Sequence, residues 1–358
     1  MRIKKALFLG TLCTAVYGMS LFAQAGVSYA KSAEKTTEAA SSEEAESEEE
    51  TSEEVTYPIT IEHAFGETVI ESKPERIATI GWENQDTPLA LGVAPVGVSA
   101  ANYGMVTDNN LHPWTDEAFA DLGVEKPVVF DDVDGLDFEQ ISDCNPDVIL
   151  AAYSGMTQED YDTLSQIAPV IPYKEKAWQT SWREQTIENA EGMGMKSEGE
   201  KKVKEVEDLI AEKLEDYPQL EGIPTAFCWI SADDFSTFYV YLPTDPRAAY
   251  LLDLGFTLPE SVQKLAGETD DFNITVSREN ADQLNDIQLM VVYGDEDLVK
   301  SLQEDKLMSQ IPAIKNGAVA LVDSTSALAG ASTPSILSIP YEIDEYLQLL
   351  SDAAENIK

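Results

Sequence analysis

The feature that most constrains this chain is an internal echo. Pro146-Asp147-Val148-Ile149-Leu150-Ala151-Ala152-Tyr153 is repeated in pattern by Asn285-Asp286-Ile287-Gln288-Leu289-Met290-Val291-Val292-Tyr293. Each is a turn followed by an apolar run too short for a helix and rich in β-branched residues, the signature of a strand buried on both faces. Each follows a short helical stretch with an acidic residue, Glu139 or Glu279, and each leads into an acidic helix. Between them lies Trp182 to Leu214, free of proline and rich in Glu, Lys, Ala and Leu. Two similar α/β halves joined by helix place a cleft between lobes.

The remaining segments fill in this plan. Tyr57–Glu62 and Thr68–Ile70 read as a hairpin turned at Ala64-Phe65-Gly66. Ile77–Ile80 is a buried strand, Gln85–Leu91 a helix stopped by Gly92, and Val96–Val98 a strand, which together make a βαβ unit. Phe138–Ile141 (helix), Asp147–Ala151 (strand), Glu159–Ile167 (helix) and Val170–Pro172 (strand) follow. Val203, Val206, Leu209, Ile210 and Leu214 share one helical face. Gly192, Gly194 and Gly199 allow a break, so the linker reads as one long helix or two nearly collinear ones. Past Pro218 come strands at Thr225–Ile230, Asp286–Val292 and Ala318–Val322, and helices at Pro246–Leu254, Leu298–Gln303 and Ser335–Ile357. The expected fold is α/β, with two Rossmann-like lobes of mainly parallel sheet bridged by one long helix. The lobes are placed at 56–180 and 217–358, with the linker at 181–216.

Upstream, Arg2, Lys4 and Lys5 precede an apolar run to about Phe22. Ala23-Gln24-Ala25 and Ser28-Tyr29-Ala30 are cleavage-type sites, so residues 1–30 read as a secretory signal peptide. Leu12 is bulky and the apolar run continues past Cys13, so lipid attachment at Cys13 is not expected. Residues 31–55 hold Glu, Ser, Thr and Ala with nothing to bury, and read as a disordered acidic tether. The chain is expected outside the cytoplasm, periplasmic or extracellular, and monomeric.

Composition removes several functions. A formal net charge of −43 repels nucleic acid and anionic lipid. Two histidines, His63 and His112, cannot build a histidine-rich metal site or support a triad. Cys144 and Cys228 read as separate buried thiols. Ile80-Gly81-Trp82-Glu83 is not a phosphate-binding glycine loop, and no G-x-S-x-G elbow exists. No catalytic residue and no cofactor is expected.

The loops carry an excess of aromatics: Trp82, Tyr103, Trp114 and Tyr153 in the first half, Trp178 near the junction, Tyr239 and Tyr241 in the second. Trp229 sits inside a strand and reads as core. Arginine is scarce, so Arg183 and Arg247, each set among aromatics, stand out. Such a wall suits a large, partly apolar chelate, and a guanidinium can fork onto its oxygens.

Pro74-Glu75-Arg76-Ile77, Leu89-Ala90-Leu91-Gly92-Val93-Ala94-Pro95-Val96-Gly97-Val98, and Phe138-Glu139-Gln140-Ile141 leading to Asn145-Pro146-Asp147-Val148-Ile149-Leu150 resemble, in this order, the ferric-siderophore-binding proteins of ABC importers. That family shares its fold with cobalamin- and haem-binding proteins. The resemblance implies two rigid lobes, a ferric siderophore as ligand, and an ABC permease as partner, docked through one acidic residue per lobe. By motif these are Glu139 and Glu279. The metal belongs to the ligand. Few positive residues favour a hydroxamate or mixed chelate over an anionic catecholate. Haem, with Tyr153 or Tyr241 as axial ligand, or cobalamin is the alternative cargo.

Overall fold

The computed structural model describes residues 55–132 and 135–358. The signal peptide, Cys13 and nearly all of the acidic tether lie outside the described residues.

A hairpin of β1 (Ile59–His63) and β2 (Gly66–Ile70) opens the fold. Next come β3 (Ile77–Thr79), α1 (Asp86–Ala90), β4 (Gly97–Ser99), α2 (Pro113–Asp121), β5 (Val129–Phe130), α3 (Phe138–Asp143), β6 (Val148–Ala151), α4 (Gln158–Leu164) and β7 (Val170–Pro172). The five strands β3 to β7 form one parallel sheet in the order β5-β4-β3-β6-β7. Its central strands are buried on both faces, which is why their sequences run apolar without alternation. Strand order reverses between β3 and β6. In open α/β sheets, ligands collect outside the carboxyl ends at such a point.

Two helices follow, α5 (Trp182–Gly192) and α6 (Lys196–Leu214). They are not collinear, as the sequence reading had them. Gly194 adopts φ +67°, and the Tyr57 hydroxyl occupies the place a Cβ would need. The chain reverses there, α6 returns along α5, and Gly199 presses against Ala190. Arg183 of α5 thereby reaches Glu207 of α6 at 2.7 Å. The glycines signalled the break, but only the packing sets its direction.

The second half holds β8 (Thr225–Trp229), β9 (Thr237–Tyr241), α7 (Pro246–Asp253), α8 (Glu260–Ala266), β10 (Asn273–Ser277), β11 (Leu289–Tyr293), α9 (Glu296–Glu304), α10 (Pro312–Asn316), β12 (Val319–Val322), α11 (Ala327–Ala331) and α12 (Ser338–Ala354). The sheet order is β10-β9-β8-β11-β12. Strands β8, β11 and β12 run parallel, whereas β9 and β10 are antiparallel additions that the loop reading of Tyr239 and Tyr241 missed. The expected two-lobed, mainly parallel α/β architecture is the one observed.

A buried carboxylate joins the halves. Asp86 accepts hydrogen bonds from Trp114 Nε1 and Thr115 Oγ1, both at 2.8 Å, and from Ser335 Oγ just before α12. Burial pushes the Asp86 carboxyl up to about 6, against the three donors that favour its charge.

Candidate functional site

The first wall is built where β3 and β6 end. Gly81 takes φ +79°, and a Cβ there would stand 2.7 Å from the Tyr153 carbonyl, so only glycine lets the two strand ends approach. Asn84 fixes the approach: its Nδ2 donates to the Ile80 and Tyr153 carbonyls, and its Oδ1 accepts from the Tyr153 N–H. Trp178 is held at φ +61°, its N–H donating to the Ser154 carbonyl. Its indole covers Gly155, where a Cβ would fall 2.5 Å from the ring. Trp82, Tyr153 and Trp178 therefore meet edge to face, with centroids 5.9 Å and 5.4 Å apart. Trp82 and Trp178 also line a cavity of about 420 Å³ with Leu136, Met156, Ser154 and Asp132.

The second wall centres on Arg247. Asp245 caps α7, accepting from the Arg247 N–H at 2.9 Å, and also takes the guanidinium through Nε at 2.8 Å and Nη2 at 2.7 Å. The guanidinium carbon lies 3.9 Å over the Tyr241 ring. Asp245 is 1% exposed and Arg247 15% exposed, so the pair is nearly desolvated. Burial works against the charge of Arg247, and Asp245 more than restores it, so the side chain stays a cation. Tyr103 meets Tyr293 edge to face at 5.2 Å, and both phenols feel Arg247. Burial raises Tyr103 to about 12 and pushes Tyr153, Tyr241 and Tyr293 upward. All four phenols therefore stay neutral in this wall and can donate hydrogen bonds. Tyr153 from the first half lies within electrostatic reach of Asp245 and Arg247 in the second.

Six sequence candidates thus come together: Trp82, Tyr103, Tyr153, Trp178, Tyr241 and Arg247. Two do not join them. Trp114 is 3% exposed, stacked on His112 at 4.5 Å and bonded to Asp86, so it belongs to the packed joint. Arg183 lies 4.3 Å over Trp182 and binds Glu207 and Asp253, both at 2.7 Å, and it lines neither that cavity nor the adjoining one bordered by Trp82, Asn102, Tyr103 and His112. Its partners stand on α6 and α7, which a search along its own helix could not find.

Trp229 is a third surprise. It was read as core and is 41% exposed. Sequence reasoning overlooked Tyr293 and Asn102. The internal echo held the signal for Tyr293, which ends its strand as Tyr153 ends the equivalent one. Asn102, which borders both cavities, had no signal. Glu139 in the first turn of α3 and Glu279 in the short 3-10 turn after β10 are both exposed, and neither lines these cavities.

Among the described residues, no cluster of three or more His, Cys, Asp or Glu side chains could hold a metal ion, and no helix is long and apolar enough to cross a membrane.

Comparison with known proteins agrees with this geometry. Residues 77–325 match the family model described as periplasmic binding protein. The crystal structure of PiaA from Streptococcus pneumoniae TIGR4 in complex with ferrichrome is 48% identical, covers 84% of this chain and 100% of its own, and superposes with a TM-score of 0.81. The petrobactin-binding protein YclQ of Bacillus subtilis is 24% identical over 300 residues, spanning 81% of this chain and 88% of the relative. The probable siderophore-binding lipoprotein YfiY of the same organism is 26% identical over 240 residues, 65% of this chain and 67% of its own. The match covers 249 of 358 residues, well over half of the sequence, and the chain belongs to the periplasmic binding protein family.

Proposed function

We propose that this protein captures a ferric siderophore outside the cytoplasm and delivers it to an ABC importer, and that its cargo is a hydroxamate or mixed chelate. The carrying observation is Arg247: a desolvated cation, neutralised by its own Asp245, backed by Tyr241 and facing neutral phenols. A wall with one cation already paired suits a chelate of low net charge, since a multiply anionic one would bring uncompensated charge into a dry site. The 48% identical PiaA, described as a ferrichrome complex, supports this reading. The binding residues are Trp82, Tyr103, Tyr153, Trp178, Tyr241 and Arg247, joined by Tyr293. The two lobes, near 56–180 and 217–358, flank the α5–α6 hairpin, and the protein acts as a monomer without catalysis.

Tryptophan-quenching titration tests the cargo. Ferric ferrichrome should quench saturably, whereas haem and cobalamin should not. A shifted Soret band with haem, alongside silence toward ferrichrome, would overturn the reading.

Glu139 and Glu279 supply the permease contacts, one from each lobe. The double alanine variant should bind chelate normally and fail in cellular uptake, and docking should weaken as salt rises. Normal uptake would reduce both to ordinary surface charges. For the leader, the sequence favours cleavage after Ala25 or Ala30 without lipid, while the naming of YfiY as a lipoprotein runs the other way. The intact mass of the exported protein separates the two.

A further inference from the structure

Strand alternation sorts the side chains of β8 and β9 onto two faces. Ala226, Cys228, Phe238 and Val240 enter the core on one face. Phe227, Trp229, Tyr239 and Tyr241 take the other. Register pairs Trp229 with Tyr239 and Cys228 with Val240. On this second face Phe227 and Tyr241 are covered, packed with residues of α6, α7 and α12. The next pair along is uncovered. Trp229 is 41% and Tyr239 39% exposed, and their rings lie 5.5 Å apart at 31°.

This is an unusual place for an open indole. β8 is the middle strand of its sheet, where an inward-facing position is normally sealed. The two rings are also contiguous with the ligand wall. Tyr239 is two residues from Tyr241 on the same face of β9. Val292 pairs with Cys228, so Tyr293 stands level with Trp229 on the neighbouring strand. Tyr241 and Tyr293 are both neighbours of Arg247. The aromatic wall therefore does not end at the guanidinium. It continues outward by one stacked pair.

We propose that Trp229 and Tyr239 form a second subsite, a shelf that stacks an uncharged planar arm of the chelate lying outside the iron's own shell. The inference rests on the chelate reading above. The guanidinium and buried phenols serve the iron-bound oxygens. The shelf offers ring faces, which favour planar groups. The loop that follows β8 carries Asp233 and Asp234, both exposed, which disfavours an anionic arm. The shelf's chemistry is thus an aryl or heteroaryl amide.

Calorimetric titration with two probes tests this: ferric ferrichrome, and the same chelate carrying a benzoyl amide on its peptide ring. Wild-type protein should prefer the benzoyl chelate about tenfold, within what aromatic stacking supplies. In Trp229→Ala with Tyr239→Ala the ratio should collapse to about one, and in Trp229→Leu, which keeps bulk without a ring face, it should fall part of the way. Circular dichroism confirms the fold of each variant. Equal affinity of the wild type for both probes overturns the shelf. So does an equal loss for both probes in the double variant. Unaltered binding with lost uptake assigns the pair to the importer face instead and also overturns it. If the wild type binds neither probe, the chelate reading itself falls, and the shelf with it.

Discussion

Arg183 and Arg247 are near twins at short range and differ in where their partners come from. Each lies over an aromatic ring, Trp182 at 4.3 Å and Tyr241 at 3.9 Å, and each is bonded to carboxylate. The difference is where the carboxylates come from. Arg247, in the first turn of α7, is held by that helix's own cap, Asp245, so the pair is one local unit set into the cleft wall. Arg183 is held by Glu207 and Asp253, from two other helices, so its guanidinium fastens α5 to α6 and α7. Arg247, paired with its near neighbour Asp245 and bonded to Tyr293, keeps all its partners in the cleft wall. Arg183, shared among distant elements, has been spent on the joint.

The contrast can be broken by substitution. The largest effect should come from Arg247→Ala. Loss of desolvated, charge-assisted bonds should weaken chelate binding by about 1.5–3 kcal/mol, roughly tenfold to a hundredfold, measured by titration. The variant should also melt earlier, because Asp245 is left buried without its partner. Arg183→Ala should do the reverse. It should lower the stability of the fold by about 1 kcal/mol, since Arg183 is 31% exposed and solvent screens the pair, and leave chelate affinity within about twofold. An equal affinity loss in both variants would erase the distinction.

Acidity sharpens it further. Burial raises Asp86 to about 6, Glu342 to about 7 and Glu188 to about 8, and lifts Glu83 well above its usual range with help from Asp86. Each folded-state value exceeds the unfolded one, so the folded protein holds more protons through this window. The contribution of these carboxyls is fullest at low pH and is lost as pH rises from about 4 through 8, while His112, lowered to about 4 by burial, works the other way below about 6.5, so the net fall is clearest between about 6.5 and 8. Melting temperature should drop by several degrees over that range, while Arg247 keeps its charge throughout. Asp86→Asn should remove part of the slope. A flat or rising melting curve would contradict these placements.

The smallest effect concerns salt. Raising ionic strength to 0.5 M should lower the melting temperature of the wild type slightly, through the half-exposed Arg183 cluster. The Arg183→Ala variant should respond less.

How far the sequence reaches follows from the same comparison. Buried parallel strands such as Val148–Ala151 declare themselves by apolar runs, and their order follows from βα alternation. The carboxylate partner of Arg247 is legible because Asp245 is its neighbour in sequence as well as in space. Arg183 was misread because Glu207 and Asp253 lie 24 and 70 residues away, reached only after the chain reverses at Gly194. The same reversal separates one long helix from a hairpin. Strand β9 was hidden because acidic and proline-bearing turns flank five residues, and Trp229 because alternation alone cannot say where a covering layer stops.

The Asp86 knot also has a bearing on biosynthesis. Its third donor, Ser335, lies 249 residues downstream, so it leaves a ribosome or a secretion channel long after Asp86 does. Until it arrives, the emerging first lobe carries a carboxylate with an incomplete set of partners. A product truncated before residue 335 should be readily digested by envelope proteases, and only a fully delivered chain acquires resistance.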